Sequence, residues 1–213
     1  MAELEILGAP QSNFVWTCRI VCEEKAVAYN LSPVFPHTPE IDAIHPFGRI
    51  PVMRHGAIKL FESKAIATYI DRVFTGPALI PADPVGAALT EQWISAIITT
   101  IDPILLRQYA VAYFFPGTAD GSPNRQLIDA ALPKLTKPFD VLEAAVAKTG
   151  HLVGDGFTLA DAFLVPVLYY MNKLPESGKL VAERKAVARY IARHLERNSV
   201  AATIPPPMPK RTP

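Results

Sequence analysis

Residues 45–70 read HPFGRIPVMRHGAIKLFESKAIATYI. Two short apolar runs, PVMR and AIKLF, flank His55-Gly56, and a glycine in a two-residue connection predicts a β-hairpin. From Ser63 onward Ile66, Tyr69, Ile70 and Val73 recur at helical spacing, so the hairpin feeds a helix. Pro51 stands where a ladder N–H would be useful. Read locally, it is either a trans proline opening an edge strand or a cis proline that turns the preceding backbone outward. Glu62-Ser63 sits where strand gives way to helix. Ser63 is either a plain N-cap or part of an anion site made by the unpaired N–H groups of a helix start. Glu62, charged and just before the cap, is either a solvated dipole partner or a ligand-binding carboxylate.

Upstream, ELEILG (3–8) reads as a strand and APQSN (9–13) as a loop. Phe14, Cys18, Val21 and Cys22 then mark a helix from about 14 to 26, and VAYNLSPVF reads as a second strand. A crossover of this length favours a parallel pair. The first 77 residues are therefore predicted to be a small α/β sheet with parallel and antiparallel neighbours. GPALIPADP (76–84) is dense in Pro and Gly, which places a linker over 78–84. Residues 85–203 read as helical. Asp83-Pro84 is a start signal, and the following helix runs through EQWISAIITTIDPILLRQYAVAYFF with a kink expected at Pro103. A second helix starts at Ser122-Pro123 and reaches about Lys148, with Pro133 and Pro138 arguing against continuity. Thr158-Leu-Ala-Asp161 reads as a capping box with Asp at its last position. A final amphipathic helix is expected over roughly 179–197, and IPPPMPKRTP (204–213) is expected to be a mobile tail.

Composition narrows the function classes. The 213-residue chain is half hydrophobic and carries 21 basic and 20 acidic residues, with no concentrated basic face of the kind nucleic-acid binding needs. No apolar run reaches the roughly 20 residues of a membrane span, and the N-terminus lacks the regions of a secretory signal. Cys18 and Cys22, four apart on a helix, have poor disulfide geometry and read as small buried residues of a reducing compartment. Neither they nor the five histidines show metal-ligand spacing. A cytoplasmic protein without metal is expected.

Three segments, GAPQSNFVWTCRIVCEEK (8–25), HPFGRIPVM (45–53) and LFESKAIATYI (60–70), together with GDGFTLADAFLVPVLYY (154–170), resemble the glutathione S-transferases. The nearest likeness is to serine-type, phi-like and bacterial members, because the loop after the first strand carries Ser12 and no Tyr. The resemblance implies a thioredoxin-like N-terminal domain followed by an all-helical C-terminal domain (α/β plus all-α). It implies a homodimer that uses glutathione as co-substrate, without metal, and transfers it to a hydrophobic electrophilic small molecule. A non-catalytic ligand-binding or protein-interaction module of the same fold, or a glutathione-dependent isomerase or peroxidase, are the alternatives.

The resemblance also assigns residues. Pro51 becomes the cis proline, with Ile50 offering its N–H and C=O to the cysteinyl part of glutathione as an added strand in miniature. Ser63 and Glu62 suit the γ-glutamyl carboxylate and ammonium. His37 and Arg49 are candidates for the glycyl carboxylate, although Pro36 stands where phi-like members carry half of a basic pair. A thiol titrates near 8.5, and lowering that by two units needs about 2.7 kcal/mol of preference for the thiolate. One charge-assisted hydrogen bond supplies roughly 1.5–3 kcal/mol of it. Ser12 is the expected donor; on the residues alone, Ser12 and Asn13 are equally donor or cap. Asn13, Tyr109, Tyr113 and Phe114, with Phe115 beside them, mark a possible electrophile pocket, although aromatics at helical spacing are more often core.

Overall fold

The computed structural model describes residues 3–208, which divide into two compact units. The first runs to Ala82 and also takes Glu196–Pro207; the second covers Asp83–Leu195. This moves the C-terminal boundary: 196–203, expected in the helical domain, belong with the first unit. The segment through Pro207 is held there too, for the Gln11 side-chain amide donates to the Pro207 carbonyl at 3.3 Å. The remainder of the expected mobile tail, from 209 on, lies outside the described residues.

In the first unit, β1 (Leu4–Leu7), β2 (Tyr29–Ser32), β3 (Val52–His55) and β4 (Ile58–Phe61) form one sheet in the order β2-β1-β3-β4. The pair β1–β2 is parallel and the other two antiparallel, the thioredoxin-like arrangement that was expected. The hairpin turn is Gly56-Ala57, one residue later than the sequence suggests; Gly56 has φ 58°, which suits a residue without a Cβ. Three helices accompany the sheet: α1 (Asn13–Glu24), the short α2 (Pro39–Asp42), which the apolar pattern did not reveal, and α3 (Ser63–Val73).

Polar groups lock this unit internally. The Lys25 ammonium, buried after α1, donates to Asp71 of α3 at 3.2 Å and to the carbonyls of Gly76 and Pro77 at 3.5 and 3.0 Å. Buried charges persist when paired in this way. A single-turn helix, α10 (Asn198–Ala201), lies on α1. Arg197 forks onto the Glu24 carboxylate at 2.5 and 2.7 Å, and the Trp16 indole N–H donates to Thr203 at 2.8 Å. That bond satisfies the indole of a fully buried Trp.

The second unit is helical throughout. α4 (Pro84–Ala96) is capped by Asp83, whose carboxylate accepts from the Gly86 N–H at 2.7 Å. Beyond α4 the chain widens around Pro103, where a kink was expected, into two π-helical segments, Ile97–Ile101 and Pro103–Ala110, before α5 (Val111–Phe114). Proline has no N–H and its ring crowds the carbonyl four residues back; the wider register accommodates both. α6 (Arg125–Val146) continues through Pro133 and Pro138. The carbonyls four residues before these prolines belong to Asp129 and Lys134, both exposed residues, where water can serve as the partner. α7 (Leu159–Met171) is buried along its whole length, and the expected last helix is two, α8 (Pro175–Ala182) and α9 (Lys185–Leu195).

Asp161, fully buried in the first turn of α7, is the polar centre of this unit. It accepts from the N–H of Leu152 and Thr158 at 3.0 and 2.9 Å, the Thr158 hydroxyl at 3.0 Å and the Tyr190 hydroxyl at 2.9 Å. The capping box read from Thr158-Asp161 is formed. Ligand atoms of His151, Asp161 and His194 lie within 4.8 Å of one another, a cluster that chain spacing concealed. His194 bonds the Gly150 carbonyl at 3.0 Å. Burial pushes its pKa down to about 4, against the opposing pull of the Asp161 carboxylate. The folded state therefore disfavours a proton that the unfolded chain accepts near 6.5. Stability held above that pH is lost as pH falls towards 4, by on the order of 3 kcal/mol. Urea unfolding of wild type and His194→Gln across that window checks this: the wild type should lose stability steeply and the variant less so. Equal slopes would refute it.

Candidate functional site

The strand register brings four separated loops to one end of the first unit's sheet. Leu7 faces Val52 and Val52 faces Phe61, so Gly8, Pro51 and Glu62 leave the sheet side by side. Leu7 also pairs with Ser32, and the Gly8 N–H donates to the Ser32 carbonyl at 2.9 Å, which adds the loop carrying His37. A Cβ on Gly8 would lie 2.5 Å from Val15 Cγ2 and 3.1 Å from Ile50 Cβ. That approach is possible only with glycine, and it sets the start of α1 against Ile50.

Ser12 is the N-cap of α1. Its Oγ accepts from the Val15 N–H at 3.5 Å, a long bond, and its own hydrogen has no acceptor among the described residues. Cap and donor roles are thus compatible in one hydroxyl, which has two lone pairs and a proton. Asn13, by contrast, is 4% exposed. The bond between Ile50 and Pro51 is cis. Ile50 lies outside the ladder, and its N–H and C=O make no hydrogen bond among the described residues.

Glu62 has φ 67°, a left-handed conformation uncommon for a side-chain-bearing residue and most often found where a site demands it. Its carboxylate is exposed and does not cap α3. Ser63 begins that helix, with hydroxyl and N–H free of partners among the described residues. Its carbonyl accepts from Cys18 Sγ at 3.8 Å, tying α3 to α1. Burial, reinforced by Cys22, pushes the Cys18 thiol well above its ordinary value, so this nearby cysteine is no nucleophile. His37 also has positive φ, 60°, and its N–H bonds the Gly48 carbonyl at 2.9 Å. A Cβ on Gly48 would meet His37 Nδ1 at 2.2 Å, so the ring lies over the residue preceding Arg49. Arg49 is exposed and has no ion pair among the described residues.

One site-adjacent residue escaped the sequence reading. His45 is 2% exposed, with Nδ1 accepting from the Phe47 N–H at 3.1 Å. The other nitrogen, Nε2, therefore carries the hydrogen and stands 3.7 Å from Glu62. Burial lowers its pKa although Glu62 opposes this, which favours the uncharged ring beside that carboxylate. A lone histidine in HPFG has no periodicity to announce this.

The aromatic group of the second unit is only partly as expected. Tyr109 is fully buried; its hydroxyl donates to Glu176 at 2.9 Å and accepts from the Ser177 N–H at 3.2 Å, so it is a core residue and not a pocket wall. Tyr113 and Phe114 keep some exposed surface, Phe114 edge-on to Tyr170 at 5.4 Å, while Phe115 is half exposed. Burial would raise the Glu176 carboxyl, but hydrogen bonds from Tyr113, Arg125 and Tyr109 hold it down at about 2. Tyr113 is pushed up by burial and by that carboxylate, so its proton stays on the Glu176 hydrogen bond.

Comparison with known proteins places the family. The profile of the glutathione S-transferase N-terminal domain matches residues 6–78, and that of the C-terminal domain residues 125–193. Glutathione S-transferase 3 of Zea mays is 33% identical over 98% of each chain. Among solved structures, glutathione transferase F7 of Populus trichocarpa is 31% identical with a TM-score of 0.83, covering 94% of this chain and 97% of its own. A glutathione S-transferase-I bound with lactoylglutathione is 26% identical with a TM-score of 0.84 over 95% and 98% of the two chains. The chain belongs to the glutathione S-transferase family.

Proposed function

We propose that this protein binds glutathione at the loop end of its first unit and conjugates the thiol to a hydrophobic electrophile. The observation that carries the reading is the set of unused hydrogen-bonding groups on adjacent loops: the Ile50 peptide, the Ser63 hydroxyl and N–H, and the Ser12 hydroxyl hydrogen. Together they match a peptide with a cysteinyl amide, a γ-glutamyl carboxylate and a thiolate. Ser63 takes the carboxylate at the positive end of α3. Glu62, beside His45, takes the ammonium. His37 is the nearer candidate for the glycyl carboxylate, with Arg49 beyond Gly48. Ser12 donates to the sulfur, which is the nucleophile; the enzyme itself forms no covalent bond.

An apolar acceptor is supported by the partly exposed Tyr113 and Phe114. A homodimer is supported by Phe47, 67% exposed beside the site, an apolar surface suited to burial by a second copy. A cytoplasmic location is supported by Cys18 and Cys22, both free. No helix among the described residues is long and apolar enough to cross a membrane.

Calorimetric titration with glutathione, paired with turnover of an activated aryl chloride, tests the whole. Ser63→Ala and Glu62→Gln should each weaken glutathione binding by about tenfold, the loss of one hydrogen bond to a charged group. Wild-type affinity in both variants would remove Glu62 and Ser63 from the site, and no heat with the wild type would end the proposal.

A further inference from the structure

One segment from the end of the described chain follows α1 from its last residue to its cap. Glu24, which ends α1, takes the Arg197 fork and the Ser199 hydroxyl. At mid-helix the Trp16 indole donates to Thr203 Oγ1 at 2.8 Å, and just before the cap the Gln11 amide donates to the Pro207 carbonyl at 3.3 Å. Rising numbers in the segment meet falling numbers in α1, so the two run antiparallel. We infer that residues 197–207 form a strap that positions Ser12, by fixing both α1 and the residue immediately before its cap. The inference rests on the reading of Ser12 as donor to the thiolate.

Ser12 needs such support. Its bond to the Val15 N–H, at 3.5 Å, is at the outer limit of a hydrogen bond and cannot by itself aim the hydroxyl. Its backbone is better held: the Ser12 N–H donates to the Ala9 carbonyl at 2.9 Å, and the Trp16 N–H donates to the Ser12 carbonyl at 2.9 Å. Trp16 is therefore the link, with its backbone bonded to Ser12 and its indole bonded to the strap. Both Trp16 and Thr203 are fully buried, and Thr203 gives its own hydrogen to the Ser199 carbonyl at 2.7 Å, which leaves a lone pair for the indole. Beyond Thr203 the strap reads Ile204-Pro205-Pro206-Pro207, with Pro205 buried. A proline run is confined to extended backbone, so this span reaches Gln11 with little conformational freedom to lose. A donor to a reacting sulfur must be held to within about 0.5 Å, and a small displacement is costly in rate.

Gln11→Met and Thr203→Val each remove one tie at nearly constant volume. With an activated aryl chloride, each should lower kcat/KM at neutral pH by about threefold to tenfold and move the rising limb of the pH profile upward. The glutathione dissociation constant, by calorimetry, should stay within about twofold of wild type. In a Ser12→Ala background neither change should move the limb further. A second readout needs no glutathione: in the free protein, exchange of the Ser12 amide should quicken by about tenfold in both variants relative to that of Ile6 in β1. A lowered melting temperature with limb and exchange unchanged would mark a merely structural tie and overturn the inference, as would a limb shift that persists without Ser12. If the wild type neither binds nor turns over glutathione, the proposed function fails, and the exchange of the Ser12 amide alone decides whether the strap holds the cap. The Gln11 bond is exposed, so that variant keeps the test open if Thr203→Val folds poorly.

Discussion

Ser12→Ala is expected to lower kcat/KM for an activated aryl chloride by about tenfold to a hundredfold at neutral pH, the equivalent of one charge-assisted hydrogen bond to a thiolate. Glutathione affinity should change little, because the proposed site holds the peptide through Ile50, Glu62 and Ser63 and assigns the hydroxyl only to the sulfur. The diagnostic readout is the pH dependence of turnover. In the wild type the limb rising with pH should lie well below 8.5; in Ser12→Ala it should move back towards the value of a free thiol, so that much of the lost rate returns at high pH. A merely structural cap would not move that limb. Some stability, about 1 kcal/mol or less given the long 3.5 Å bond to the Val15 N–H, should go with it. Asn13→Ala is the control. Asn13 is buried, so its loss should destabilise the fold and leave the pH limb in place. The reverse pattern, a shifted limb for Asn13→Ala and none for Ser12→Ala, would reassign the donor.

Asp161→Ala should cost about 3–5 kcal/mol, the usual penalty for deleting one member of a buried charged network. Four donors lose their acceptor at once: the N–H groups of Leu152 and Thr158 and the hydroxyls of Thr158 and Tyr190. The two hydroxyls can turn elsewhere; the two N–H groups cannot. For a chain of this size, that loss corresponds to a melting temperature lower by roughly 6–20 °C. Calorimetric melting with urea unfolding followed by tyrosine fluorescence would measure it. A change below about 1 kcal/mol would show that water replaces the carboxylate, contrary to its complete burial. Tyr190→Phe, which removes one donor while leaving Asp161 satisfied by three, should cost only about 1 kcal/mol.

Much of this was readable from the chain because the signals are local. The strands, α1, α3 and the starts at Asp83 and Thr158 depend on apolar periodicity and capping chemistry within a few residues, and each is present. Where the reading failed, something distant intervened. Pro133 and Pro138 did not break α6; the residues four positions earlier, Asp129 and Lys134, are exposed. Tyr109 turned inward because Glu176, 67 residues later, supplies the acceptor for its hydroxyl. Residues 196–207 joined the first unit because Glu24 and Trp16, some 170 to 190 positions earlier, offer partners to Arg197 and Thr203. His45 and His194 carried no pattern; their burial and neighbours were set by other segments.

The sequence by itself determined which residue types stand at the loops of the proposed site: a hydroxyl at 12, an X-Pro bond at 51 and a carboxylate-serine pair at 62–63. Residue chemistry and local spacing are written directly in the chain. Only the tertiary structure decided that these loops share one end of a sheet, through the pairing of Leu7, Val52 and Phe61. It alone decided that Arg19 of α1 meets the Tyr29 hydroxyl of β2. Register and pairing are agreements between segments far apart in the chain, and no single segment contains them.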